Sequence, residues 1–159
     1  MRHGDRLPKG LRGYAFVAVL VLLALVSIGL AVAGPIWSQQ AQRERERDLL
    51  RIGLLYAQAI ANYRDVSPGS LKQYPPSVDA LLADSRFVGT LRHLRKAYAD
   101  PVNPGKPWGL LLDDAGSVKG VYSLSTAVPL ARGVVVLEQG LLPAATRYSD
   151  WKFIAKVKS

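Results

Sequence analysis

The chain has 159 residues and no cysteine, with 21 basic side chains against 12 acidic ones and a formal net charge of +9. The missing thiols exclude disulfides, thiolate metal sites and a lipid anchor on cysteine, so any folded part must be held by packing alone. Net charge is +3 over 1–13, +1 over 38–66 and +5 spread along 67–159; without a basic stripe interleaved with aromatics this reads as a solvated surface, and no nucleic-acid partner is expected.

The first element is a basic leader, 1–13, in which Arg2, Arg6, Lys9 and Arg12 stand against Asp5. An uncharged segment follows over 14–37, YAFVAVLVLLALVSIGLAVAGPIW. At about 1.5 Å per residue, a helix of that length spans a hydrocarbon core of about 30 Å. Inside lipid such a segment must be helical, because only a helix satisfies its own backbone. The leader is the most concentrated positive block, which the positive-inside rule keeps in the cytoplasm. Trp37 closes the segment where an indole suits the lipid–water interface. A plain signal-anchor fits these features. So does a removed signal peptide, since Ala31-Val32-Ala33 before Gly34 makes a small-x-small site; the 17 apolar residues ahead of Ala31 exceed the usual h-region of about 7–15.

Residues 38–66 read as an amphipathic continuation of the same helix. Arg43-Glu44-Arg45-Glu46-Arg47-Asp48 suits a solvated helix face with opposite charges at three- and four-residue spacing, or pairing with a neighbouring subunit. Leu49, Ile52, Tyr56, Ala59 or Ile60, and Tyr63 then recur at helical steps and predict one buried face. Arg64-Asp65 and Ser67-Pro68-Gly69 mark the stop. The expectation is one helix from about Tyr14 to Tyr63, kinked at Gly34-Pro35 because proline removes a donor and crowds the preceding turn.

The remainder, 67–159, reads as one small domain. Ser77 is the expected N-cap of a short helix over Val78–Ala83, with Leu81 and Leu82 buried. A second helical piece is expected over Leu91–Tyr98, carrying Arg92, Arg95 and Lys96. Asp100-Pro101-Val102-Asn103-Pro104-Gly105-Lys106-Pro107 is a stiff loop. Trp108–Leu112 and Val118–Leu124 flank Asp113-Asp114-Ala115-Gly116-Ser117 as a hairpin. Val134–Leu137 and Arg147–Val157 complete the strands. The fold class expected is α+β: a long N-terminal helix, membrane half plus amphipathic half, packed on a small antiparallel sheet of three or four strands.

Nothing in the chain carries a catalytic signature. His3 lies in the leader and His93 is expected on an exposed helix face. Metal-ligand spacing, an H-E-x-x-H pattern, a G-x-S-x-G elbow and a phosphate loop are all missing from the sequence. Asp113-Asp114 reads as a solvated hairpin tip, and Asp79, Asp84 and Asp150 as helix-start or surface residues. No enzyme activity, cofactor or metal is expected.

Arg12-Gly13 followed by Tyr14-Ala15-Phe16-Val17, an apolar run, and Pro35 placed 22 residues after Gly13 resemble the prepilin-type leader of type IV pilins and type II secretion pseudopilins. Tyr74-Pro75, Asp100-Pro101, Trp108-Gly109 and Tyr122-Ser123-Leu124 extend the resemblance, closest to the major-pseudopilin type, to about Ser125. It implies cleavage after Gly13 by a prepilin peptidase, methylation of the Tyr14 amine, and packing with other pilin-like subunits. It also implies an inner-membrane location with the domain (67–159) in the periplasm. One position departs: most members carry a glutamate five residues after the glycine, where this chain has Ala18. In the family that carboxylate pairs with a neighbour's new amine, as a charge in a membrane requires a partner; some minor, tip-located pseudopilins also lack it. The calcium loop of major pseudopilins does not carry over, since calcium takes six to eight oxygens and 126–146 offers Glu138 as its one carboxylate. Two other readings stay open. One is a soluble periplasmic binding module released by signal peptidase. The other is a DNA-uptake pilin, with Arg92, Arg95 and Lys96 meeting phosphates.

Overall fold

The structure, a computed structural model, describes residues 11–69, 71–137 and 140–156, with the side chains of 11–13 and 30–36 outside the description. Residues 1–10 of the leader therefore lie outside the described residues, as do the side chains of the processing position Gly13 and of Pro35, the position of the proposed kink. The chain divides into two compact units, Met1–Ala41 and Gln42–Ser159. Helix α1, Leu11–Asp65, contributes to both.

In the first unit, the described side chains 14–29 are all exposed. Apolar residues occupy every face of this stretch, so no polar face marks a side meant for water. Tyr14 and Ala18 are both among the exposed residues. Ser27, its one hydroxylic residue besides Tyr14, donates back to the Leu23 carbonyl at 2.8 Å, which satisfies the hydroxyl within the helix. Among the described residues, no helix is long and apolar enough to cross a membrane; the described apolar stretch stops at Gly29.

In the second unit, the predicted stripe is the core. Leu49, Ile52, Tyr56, Ala59, Ile60 and Tyr63 are buried together with Val118, Val121, Tyr148, Trp151 and Phe153. Strands β1 (Gly109–Leu112), β2 (Val118–Tyr122) and β5 (Lys152–Ile154) form an antiparallel sheet in the order β1-β2-β5. Val121 pairs with Leu110 on one side and Phe153 on the other, so these three share the face turned to α1. Gly53 makes the close approach possible: a Cβ there would fall 2.5 Å from the Phe153 ring. The β1–β2 turn is built as its sequence predicts. Asp113 accepts from the amides of Ala115 (3.0 Å) and Ser117 (2.7 Å), and Gly116 takes a positive φ of 79°.

Several boundaries and one whole element differ from expectation. Helix α2 is Asp79–Leu82, and its N-cap is Val78 with no side-chain cap bond, not Ser77. The helix expected over Leu91–Tyr98 is not formed. Leu91 instead exchanges backbone bonds with Asp84, and the amides of His93 and Leu94 both donate to the Leu81 carbonyl at 2.9 Å. Two leucines three apart suit a helix turn, but here Leu94 is buried while Leu91 is exposed, on a bent, non-helical segment. The strand expected over Arg147–Val157 is a 3-10 turn, Tyr148–Asp150, followed by the short β5. Val134–Leu137 shortens to β3, Val135–Leu137, which pairs with β4, Gly140–Leu142, in a separate two-stranded sheet; β4 has no counterpart in the sequence reading.

Candidate functional site

Among the described residues, the second unit has three buried polar anchors, each tying a loop to α1 or to the sheet. The first is Glu46. In a charge run expected to be solvated, Glu46 is 7% exposed. Its Oε2 accepts from the Leu130 amide (2.8 Å) and the Tyr148 hydroxyl (2.9 Å), and its Oε1 from the Ala131 amide (3.0 Å). Two successive N–H groups and a phenol thus converge on one side chain of α1. One turn earlier, Gln42 donates to the Val128 carbonyl (3.3 Å) and reaches the Tyr148 hydroxyl. Burial and the Glu46 carboxylate push the Tyr148 phenol above its ordinary value. The other members of the run follow expectation: Arg43, Arg45 and Arg47 are exposed, and Asp48 pairs with Arg51 at 3.0 Å.

The second anchor is Asp84, expected at the surface and found 1% exposed. Arg86 meets it with a two-pronged contact, Nε to Oδ1 at 2.9 Å and Nη2 to Oδ2 at 2.7 Å. Arg86 also donates to the Tyr63 carbonyl (2.9 Å) and the Ser67 hydroxyl (2.7 Å), and its guanidinium lies 3.6 Å from the centre of the Tyr63 ring. His93, expected on an exposed helix, has a 4% exposed side chain with Nε2 3.1 Å from Asp84 Oδ2. Hydrogen bonds from Arg86 hold the Asp84 carboxyl far below the usual carboxylate range. The Asp84, His93 and Ser67 residue types suggest nucleophilic chemistry, but the geometry assigns them elsewhere. Asp84 is occupied by Arg86, and the Ser67 hydroxyl is engaged with Arg86, Tyr63 and Gln73. The cluster closes the C-terminal end of α1, whose last carbonyls have no partner within the helix.

The third anchor joins two of the short sequence motifs, Asp100-Pro101 and Tyr122-Ser123-Leu124. Asp100, 1% exposed, accepts from the Ser123 hydroxyl at 2.5 Å and the Val102 amide at 3.0 Å. Asp100-Pro101 is thus fastened to Tyr122-Ser123-Leu124. The Pro75 carbonyl accepts from the Val118 amide at 2.8 Å, fastening Tyr74-Pro75 to β2. The Trp108 indole and the Tyr56 hydroxyl both donate to the Tyr98 carbonyl, at 2.9 and 3.1 Å. These motif residues are staples of the fold.

Arg92, Arg95 and Lys96 are exposed, on an irregular segment rather than a helix. Among the described residues no group of three His, Cys, Asp or Glu side chains could hold a metal; Glu138 lies outside them. Asp113 and Asp114 sit at the hairpin tip, the former engaged with the turn backbone. Asp150 accepts from Thr146 and Arg147 and has its carboxyl lowered by those bonds. Asp79 stands in the first turn of α2. Among the described residues the unit exposes two edges of the β1-β2-β5 sheet, apolar side chains of β3 and β4, and a charged face of α1. No family model, curated protein or solved structure matches the chain.

Proposed function

We propose that the chain is a pseudopilin-like structural subunit of a type II secretion system or a related type IV pilus-like filament. The observation that carries the reading is a helix apolar and exposed on every face over 14–29, in the same α-helix whose residues Leu49–Tyr63 form the spine of a small α+β domain. Such a stretch needs lipid or other apolar helices around it. In this reading a prepilin peptidase hydrolyses the bond between Gly13 and Tyr14, which removes the basic leader and frees the Tyr14 amine for methylation. The apolar helix waits in the inner membrane with the domain in the periplasm. It then packs with equivalent helices of other pilin-like subunits, and the domain forms the filament surface.

N-terminal sequencing and intact mass of the membrane-purified protein test the reading. A start at Tyr14, abolished by Gly13→Ala, is the expected result. A start at Gly34 would instead make the product a secreted soluble domain, and an intact Met1 a plain anchor.

A further inference from the structure

Strand β5 is an edge strand, and the groove beside its free edge is open. A cavity of about 360 Å³ is bounded by Lys152–Lys156, by Leu137 of β3 and Gly140–Leu142 of β4, and by Leu54 and Ala57 of α1. The Ala155 amide donates to the Lys119 carbonyl of β2 at 3.0 Å. Polar groups of an antiparallel strand alternate between its two edges, so the N–H and C=O of Ile154 face away from β2, into the groove. Lys156 lines it with its ammonium beside Gly140 of β4, while the Lys152 ammonium turns back over the Tyr122 ring at 3.3 Å. At the opposite side of the same sheet, β1 is also an edge. It is apolar from Gly109 to Leu112, with Leu110 41% and Leu112 50% exposed, and it runs directly into Asp113-Asp114. Edge strands of globular proteins are ordinarily blunted by a charge or a proline, and Leu110–Leu112 carries neither.

We propose that these two edges are complementary faces of one subunit contact, in which β1 of a second copy adds to the free edge of β5. β1 and β5 are both antiparallel to β2, so they run the same way, and a copy related by translation presents β1 parallel to β5. Two conditions then fix the register. Side chains must continue the two faces of the sheet, and the outward polar groups of Ile154 must sit between those of Leu110 and Leu112 in the second copy. Both require an odd offset. Setting Leu111 opposite Ile154 places Gly109 to Leu112 along Lys152 to Ala155 and brings Asp113 opposite Lys156, with Asp114 beside it. The contact is heterologous, so it propagates instead of closing into a dimer. The proposal rests on the assembly reading above, for which it names a subunit contact.

Because the chain has no cysteine, cross-linking in the full-length protein tests it cleanly. Leu111 and Ile154 lie on the outer face and would stand side by side across the contact. L111C/I154C should oxidise to a ladder of dimers, trimers and higher species, and a mixture of L111C chains with I154C chains to dimers and nothing larger. Lys156→Glu in the double-cysteine background should remove most of the ladder, and adding Asp114→Lys should restore it. Asp114 is chosen because Asp113 also holds the turn. Circular dichroism shows that each variant keeps the wild-type fold. A ladder no stronger than that of L111C/V136C, or one indifferent to Lys156→Glu, overturns the proposal. N-terminal sequencing of the same samples separates it from the reading beneath it. A ladder from chains beginning at Met1 keeps the contact and removes the processed subunit; chains beginning at Tyr14 without a ladder do the reverse.

Discussion

Replacing Glu46 by alanine should unfasten the 126–131 loop from α1, and the size of the loss follows from its three hydrogen bonds. Two donors are the consecutive amides of Leu130 and Ala131, and the third is the Tyr148 hydroxyl. Bonds to an ionised group contribute about 1.5–3 kcal/mol each, and a donor left buried without a partner costs about 1–3 kcal/mol. Leu130 is 38% exposed, so water can reach the two amides and recover much of their share. Tyr148 is 2% exposed, and its hydroxyl retains only the long 3.5 Å contact with Gln42. The phenol then dominates, and Glu46→Ala should lose about 2–4 kcal/mol, with Glu46→Gln at about half that because one acceptor oxygen survives. Denaturant unfolding of the full-length chain in micelles measures the total. Hydrogen exchange locates it: the Leu130 and Ala131 amides should lose protection while the Val121 amide, in the sheet, keeps it. A Glu46→Ala chain within about 0.5 kcal/mol of wild type, the usual scatter of surface substitutions, with unchanged protection at those two amides, would refute the assignment.

Gly53→Ala should destabilise despite alanine's helix preference, by about 1–3 kcal/mol, because the new methyl meets the Phe153 ring 2.5 Å away in a core that cannot yield freely; a thermal melt that rises instead would show that the ring has room to move. Asp84→Asn should cost about 3–5 kcal/mol by leaving Arg86 without its counter-charge, read from chemical unfolding at neutral pH. Asp84 also predicts a pH profile. Its folded carboxyl lies below the ordinary 3.8, so its contribution is complete above that value and drains away as pH falls toward the lower folded one. Wild type should therefore lose stability on the acid side of about pH 4 more steeply than Asp84→Asn, and parallel acid titrations would contradict the pairing. Ser123→Ala should cost about 1–3 kcal/mol by stripping the Asp100 carboxylate of its hydroxyl donor, with added exchange at the Val102 amide as the local sign.

How much of this was legible depends on whether a residue's role is local. The stripe Leu49, Ile52, Tyr56, Ile60 and Tyr63 was readable because a helix repeats its buried face at fixed steps. Glu46 was within reach by the same rule. Counting back from Tyr63 by alternating threes and fours through Ile60, Tyr56, Gly53 and Leu49 lands on Glu46 and then Gln42, so the buried face runs into the charge run. Composition concealed it, since five of its six residues are solvated charges and the sixth is not. The β1–β2 hairpin was legible because Asp113 and Gly116 make the turn from their own side chain and φ. His93 and the segment 91–98 were not, because their conformation answers to Asp84 and the Leu81 carbonyl, which sequence spacing does not reveal. β4 escaped notice because three residues ended by Pro143 carry no period, and it exists by pairing with β3.

Under the assembly reading, Ala18 gives the two sheet edges their weight. Packing between helices that are apolar on every face is driven by dispersion and close fit, with no directional bond to fix one axial position. In the family this chain resembles, the carboxylate that Ala18 replaces supplies the directional bond that fixes the axial position. Here the described apolar helix has no such group, and its Ser27 hydroxyl is already bonded within the helix. Under the assembly reading, register must then come from the domain. A strand edge is suited to that task, since a one-residue slip turns every side chain to the wrong face and a two-residue slip parts Asp113 from Lys156. The variants that test the β1–β5 contact should accordingly act on order more than on retention: Lys156→Glu chains should remain in the membrane fraction in wild-type amount yet fail to form cross-linked arrays. Loss of the chain from that fraction would mean that the domain contact anchors the protein, and would count against a helix that holds its place by its apolar surface.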